Sequence, residues 1–158
     1  MGSSTRSCRR GAPAPGSSIG GMQSAGVHHV GIAVTDLDEA VVTYAALLGG
    51  TLEHREVLPD QGVEAASLLF GESRIELLAP TGEDTPVGRF LAKRGPGMHH
   101  IAYEVADVGQ ALADLAAAGT ELIDAAPRPG LFGLQVAFIH PDAVHGVLTE
   151  VVAVARLT

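Results

Sequence analysis

The chain has a single cysteine, Cys8, and no tryptophan. One cysteine excludes an intrachain disulfide and a thiolate metal cage. Any metal site must therefore use histidines and carboxylates. No apolar run approaches the ~18 residues that would suggest a membrane span. Aromatic residues are 4% of the chain, and charged residues are 18%, below the usual quarter. Basic residues are the scarcer sign. The formal net charge is −8 over 158 residues, which argues against a nucleic-acid binder, since that class carries a basic patch or stripe. What is present is a 46% apolar content, enough for one packed core.

Residues 1–35 contain no Asp or Glu, but they hold Arg6, Arg9 and Arg10. The remaining chain carries 18 acids against 7 basic residues. Residues 1–25 are rich in Gly, Ser, Pro and Ala and offer almost nothing to bury. Such a segment cannot offset its ordering entropy, so we expect a disordered leader. Met22 is a natural start for the folded part. The leader lacks the apolar stretch of an export signal, although its Arg and Ser content without acids resembles an organelle transit peptide. The expected location is the cytoplasm, or the mitochondrial matrix if the leader acts as a transit peptide. Residues 26–158 are expected to form one domain.

An internal repeat organises that domain. Val27-His28-His29-Val30-Gly31-Ile32-Ala33-Val34 is answered 71 residues later by Met98-His99-His100-Ile101-Ala102-Tyr103-Glu104-Val105. Each stretch runs into a helical pattern. Asp36 and Asp107 stand at the N-cap positions, and Gly49-Gly50 and Gly119 at the ends. Strands are then expected over 51–55, 63–70 and 74–78 in the first half. In the second half they are expected over 120–124, 134–140 and 146–152. A short helix over 87–94 links the halves. The reading is an α+β fold of two tandem βαβββ modules, about 27–80 and 98–153, curling a mixed sheet around a shared cleft.

Four residues mark that cleft. His29 and His100 are repeat counterparts in the opening strands. Glu76 and Glu150 sit in the apolar closing strands, 74 residues apart. A carboxylate in a buried strand costs several kcal/mol unless it is paired or binds a cation. Two His and two Glu at equivalent places suit one divalent ion such as Co, Ni, Zn or Mn. His28 and His99 precede the candidates, and strict alternation sends them to the opposite face. His54, His140 and His145 have no repeat partner and read as structural or surface residues.

These motifs resemble the vicinal-oxygen-chelate superfamily and, within it, the methylmalonyl-CoA epimerase family. The resemblance runs from about Val27 to Val152. It is carried by His29-Val30-Gly31-Ile32-Ala33-Val34, Ile75-Glu76-Leu77-Leu78-Ala79-Pro80 and Gly97-Met98-His99-His100-Ile101-Ala102. It continues through Pro127-Arg128-Pro129-Gly130, Val136-Ala137-Phe138-Ile139-His140-Pro141 and Gly146-Val147-Leu148-Thr149-Glu150. The resemblance implies exchange of the α-proton of a CoA thioester through an enolate, interconverting (2R)- and (2S)-methylmalonyl-CoA in propionyl-CoA metabolism. It implies an ion held by His29, Glu76, His100 and Glu150, with cobalt favoured, and a homodimer. Epimerisation needs proton carriers on both faces of the carbon. Several relatives carry a Glu four residues after the equivalent of Gln61, where this chain has Ala65 and its nearest acid is Glu64. That leaves Glu150 as the candidate proton carrier, with Gln61 as its polar neighbour. The loop Pro129-Gly130-Leu131-Phe132-Gly133 is expected to cover the substrate. Other readings are a glyoxalase I-like lyase acting on a glutathione hemithioacetal, and a metal-free drug-binding protein of the same fold. An extradiol dioxygenase would use two His and one carboxylate, and Glu76 argues against it.

Overall fold

The computed structural model describes residues 21–154. The first half holds strand β1 (Ser24–Ala33), helix α1 (Leu37–Leu48), and strands β2 (Thr51–Leu58), β3 (Val63–Phe70) and β4 (Ser73–Pro80). Helix α2 (Pro86–Arg94) links it to the second half. There β5 (Gly97–Val105) and α3 (Val108–Ala117) precede β6 (Arg128–Pro129), β7 (Gln135–Ile139) and β8 (Thr149–Ala153). The eight strands form one sheet in the order β2-β3-β4-β1-β5-β8-β7-β6. The order reads outward alike from the β1–β5 junction, as two modules related by a pseudo-two-fold must. The expected α+β architecture of paired βαβββ units is the one observed.

The helices start where their caps place them. The Asp36 side chain accepts the Glu39 N–H at 2.9 Å, and Asp107 accepts the Gln110 N–H at 2.8 Å. Gly49 ends α1 in the left-handed conformation, with φ 75°. One sheet face packs under the helices. Leu37 of α1 meets Ala66, Leu68 and Leu77, and Val108, Ala111 and Leu112 of α3 meet Ala137, Ile139 and Val151. The other face bears a separate apolar cluster of Ala33, Leu58, Val63, Ala65, Leu78, Val87 and Leu131. The cleft opens on that second face.

Two expectations need correction. No strand forms over 120–124. Leu122 makes an isolated bridge to Ile139, and the short β6 takes the edge place. Pro127 precedes β6 and Pro129 is its last residue, and proline has no N–H to extend a ladder. The leader also ends earlier than its composition suggests. Ser24 pairs with Val105 and Gly26 with Glu104, and Met22 packs against the cluster under α3. The rest of the expected leader, residues 1–20, lies outside the described residues.

A chain beginning at Gly21 should therefore melt like the full chain. One beginning at Val27 loses those strand pairs and the Met22 contact. It should be less stable by on the order of 2 kcal/mol, several degrees in thermal melting. Equal melting of the two truncations would show that Met22–Gly26 contributes nothing.

Candidate metal centre

The register of β1 on β5 builds the centre. Val30 pairs with Ile101, its own counterpart 71 residues on, so this pair lies on the pseudo-two-fold. His29 then faces Ala102, and His100 faces Gly31. The parallel neighbours complete two short rows, since β4 sets Glu76 beside Gly31 and β8 sets Glu150 beside Ala102. Small residues in mid-row leave space for the imidazoles. A methyl at Gly31 would overlap the His100 ring.

The four side chains converge and are buried, between 2% and 8% exposed. The two Nε2 atoms of His29 and His100 are 3.0 Å apart. His29 Nε2 lies 3.4 Å from Glu76 Oε2 and 3.8 Å from Glu150 Oε1, while His100 Nε2 is 3.7 Å from Glu150 Oε2. Ligand atoms of His29, His100 and Glu150 all fall within 4.8 Å of one another. Glu76 joins them through His29. A second group, Glu121, His140 and Asp142, has two exposed members and a half-buried histidine.

His28 and His99 do not turn away as alternation predicts. β1 steps from Val27 opposite Tyr103 to His29 opposite Ala102, so His28 is an inserted residue. β5 steps from Met98 opposite Ile32 to His100 opposite Gly31, so His99 is inserted likewise. Each is a β-bulge, and a bulge re-aims its side chain. His28 Nδ1 thus lies 2.8 Å from His29 Nδ1, and His99 Nδ1 lies 3.0 Å from His100 Nδ1. Each inner histidine has one nitrogen on an outer histidine and the other on the centre. Ligating histidines are oriented by such a second partner. Arg74 Nη1 approaches His28 Nε2 at 3.3 Å, and a guanidinium only donates. His29 Nε2, at the other end of its ring, faces His100 and the two carboxylates.

Burial disfavours charge on every member. It pushes the Glu76 carboxyl up to about 7, with a smaller downward pull from Arg74. It raises Glu150 well above the usual range, and the Glu76 charge adds to this while Arg128 opposes it. It draws His29 down to about 3, aided by His28 and Arg74, and holds His100 well below its ordinary value. Two imidazoles and two carboxyls thus face one point in a dry place. A divalent ion reverses this balance by favouring both carboxylates and the free imidazole lone pairs. The donor set therefore fits such an ion.

Two spaces reach the centre. One is bounded by His29, Glu76, Glu150 and the loop Gly130–Phe132. The other, roomier and largely apolar, has His100 and His99 on its wall with Val63, Leu78 and Phe138. Gln61 borders both, and its amide donates to the Pro129 carbonyl at 3.1 Å.

The sequence pattern of the Glyoxalase/Bleomycin resistance protein/Dioxygenase superfamily matches residues 28–138. The chain belongs to that superfamily. Several relatives within it are epimerases. The mitochondrial methylmalonyl-CoA epimerase of Homo sapiens is 37% identical over 125 residues, which is 78% of this chain and 71% of that one. The ethylmalonyl-CoA/methylmalonyl-CoA epimerase of Cereibacter sphaeroides is 38% identical, over 78% of this chain and 94% of its own. Among solved structures, the methylmalonyl-CoA epimerase from Mycobacterium tuberculosis superposes with a TM-score of 0.81 at 38% identity, covering 85% of this chain and 91% of that one. A methylmalonyl-CoA epimerase in complex with methylmalonyl-CoA and NH4+ gives 0.81 at 42% identity, covering 84% and 96%.

The Glu expected at position 65 by resemblance to several epimerases is absent in a specific way. Ala65 pairs with Leu78 and lies on the cleft face, fully buried against Leu131 and Leu78. Glu64 does not replace it. The β3–β4 register is unbroken, so Glu64 faces the α1 side, where Arg55 holds it at 2.7 Å and also reaches Asp38. One feature escaped sequence reasoning. The Phe132 N–H donates to Glu56 Oε2 at 3.2 Å, His54 Nε2 lies 2.8 Å from the same carboxylate, and the His54 and Phe132 rings stack at 4.5 Å. With the Gln61 bond to Pro129, these contacts strap the second module's loop onto the first module. The spacing of His54 and Glu56 on one strand face was visible, but nothing near them pointed to a partner so far along the chain.

Two outcomes are expected. In chelator-treated protein the raised Glu76 group stabilises the fold at low pH and loses that contribution as pH rises from about 4.5 through 7. Glu76→Gln should therefore gain on the wild type by up to about 3 kcal/mol between pH 5 and pH 8 in denaturant unfolding. A pH-independent difference would mean Glu76 is not desolvated. Ala65→Glu buries an unpaired carboxyl beside Leu131 and should cost about 2–4 kcal/mol in the same assay. An unchanged midpoint would show that the strap lifts to admit it.

Proposed function

We propose that the chain interconverts (2R)- and (2S)-methylmalonyl-CoA by removing and returning the α-proton. The observation that carries this is the convergence of His29, Glu76, His100 and Glu150 from both modules on one buried point beside an apolar cavity. These four residues would hold a divalent ion. When bound, the ion supplies positive charge for the thioester oxygen as the α-carbon loses its proton. Cobalt, with nickel, manganese or zinc as alternatives, a homodimer, a cytoplasmic location and a place in propionyl-CoA metabolism belong to the same reading by likeness to the family.

The chain's own residues supply the rest. Glu150 is the carboxylate within 4 Å of both histidines, and it would take up and give back the proton. Gln61 sits where the two spaces meet and presents a polar amide beside the reacting end. The apolar wall of Val63, Leu78 and Phe138 receives the acyl group and the thioester arm and keeps water away. A glyoxalase I-like lyase would use the same quartet with a different thiol, so substrate decides between the two.

Solvent deuterium should enter the α-position of methylmalonyl-CoA in the metal-loaded wild type. His100→Ala should lose bound metal and exchange together. Glu150→Gln keeps an oxygen ligand but no basic carboxylate. It should retain part of the metal and lose about 10²-fold or more in exchange. Wild-type exchange by metal-loaded Glu150→Gln would remove Glu150 from proton transfer. No exchange by the wild type, with turnover of a glutathione hemithioacetal, would move the assignment to the lyase.

A further inference from the structure

Among the described residues that line the two spaces at the centre, Arg128 is the sole lysine or arginine. Other arginines have acceptors of their own. Arg55 is held by Glu64 and Asp38, and Arg74 grips Glu53 through Nε and Nη2, both at 2.9 Å. Arg128 differs. Its Nε lies 3.2 Å from Asp124 Oδ2 without the alignment of a hydrogen bond, and that buried nitrogen has no hydrogen-bond partner. Asp124 Oδ2 is already engaged, accepting the Phe138 N–H at 2.8 Å. The guanidinium carbon stands 5.1 Å from the centre of the Phe138 ring, and Phe138 meets the His100 ring edge-on at 5.6 Å. A cation with donors to spare is thus held over an aromatic ring that touches the quartet.

The backbone holds it there. Arg128 lies between Pro127 and Pro129, which fix φ on either side, and it pairs with Val136 across β6–β7. A guanidinium stacked on an aromatic face keeps its planar fork oriented, and that fork matches a carboxylate. The surroundings are acidic, with Asp60 on the same cavity wall and Glu76 and Glu150 at the centre. An acyl group carrying a free carboxylate adds a further negative charge there, and Arg128 supplies a cation from the protein itself to meet it.

We propose that Arg128 is a specificity residue whose guanidinium binds the free carboxylate of a dicarboxylic acyl thioester, so that malonyl-type thioesters are bound in preference to monocarboxylic ones. This rests on the thioester reading given above. The competing role is structural, with Arg128 serving only to hold Asp124 and Phe138. That role predicts no dependence on the acyl carboxylate.

The test compares malonyl-CoA with acetyl-CoA, which differ by that carboxylate, in calorimetric titrations of the metal-loaded protein. Arg128→Gln should weaken malonyl-CoA binding about 10- to 100-fold, the range for a lost charged hydrogen bond, and change acetyl-CoA by less than about 2-fold. Arg128→Lys keeps the charge without the fork and should fall between wild type and Arg128→Gln. Metal content and thermal melting check the fold, and if Arg128→Gln fails to fold, the malonyl-to-acetyl ratio of Arg128→Lys decides. Equal losses for both thioesters, or no loss for malonyl-CoA, overturn the proposal and leave the epimerase reading standing. A wild type that binds neither thioester overturns that reading, and the proposal with it.

Discussion

The antiparallel pairing of β1 with β5, in which Val30 lies against its own repeat counterpart Ile101, fixes every other position at the centre. Side chains alternate with period two, so a one-residue slip would send one histidine to the helix side. With the register as it stands, His29 and His100 fall on one face, and the parallel neighbours bring in Glu76 and Glu150. Gathering four ionisable groups in a dry place costs several kcal/mol. The cost is met by what surrounds them. The β1–β5 ladder runs from Ser24 to Ala33, and Ala102, Ala33 and Leu77 beside it are fully buried. The stable sheet holds the destabilising quartet, and a cation would relieve the strain that the sheet imposes.

The two bulges add a second layer to this arrangement. In each opening strand the residue before the inner histidine is the extra one, so the bulge belongs to the repeat and is not an accident of one module. Its effect is to turn His28 and His99 toward the inner rings. The modules then part company. His28 is also approached by Arg74, whereas His99 meets the Phe90 ring edge-on. The two inner histidines, 3.0 Å apart, therefore have different surroundings behind them, a guanidinium on one side and an aromatic ring on the other.

The repeat made most of this legible. Offsets of 71 for the histidines and 74 for the glutamates, inside apolar strands, were enough to select the four residues, because duplication turns one weak signal into a coincidence of four. Fold class and helix caps followed from the same periodicity, with Asp36 and Asp107 standing at matching places. What failed was whatever depends on a local departure from the regular pattern. Alternation put His28 and His99 on the wrong face because a bulge leaves no mark in the residue types. The strand expected over 120–124 shrank to a bridge because Pro127 and Pro129 moved the edge pairing to Arg128. The strap of His54, Glu56 and Phe132 was invisible because its partners are 76 residues apart and meet only once the modules are folded together.

The symmetry is kept where the ligand atoms lie and broken above them, and the chemistry explains both. A single ion asks for donors from either side, which a pseudo-two-fold provides at no extra cost in design. A thioester with a carboxylate at one end and a long arm at the other has no such symmetry, so the walls must differ. On one side β2 and β3 are long and carry His54, Glu56 and Gln61. On the other the counterpart of β2 is the two-residue β6, which frees the chain from Pro129 to Gly133 to cross the cleft. Phe132 takes a left-handed φ of 62° there, unusual for a bulky residue and held by the Glu56 and His54 contacts. Leu131, the residue before it, drives its side chain into the cluster that contains Ala65. An acid at position 65 and an apolar Leu131 exclude each other in that space. The alanine and the strap are therefore one feature, in which the small side chain of the first module makes room for an apolar seal from the second.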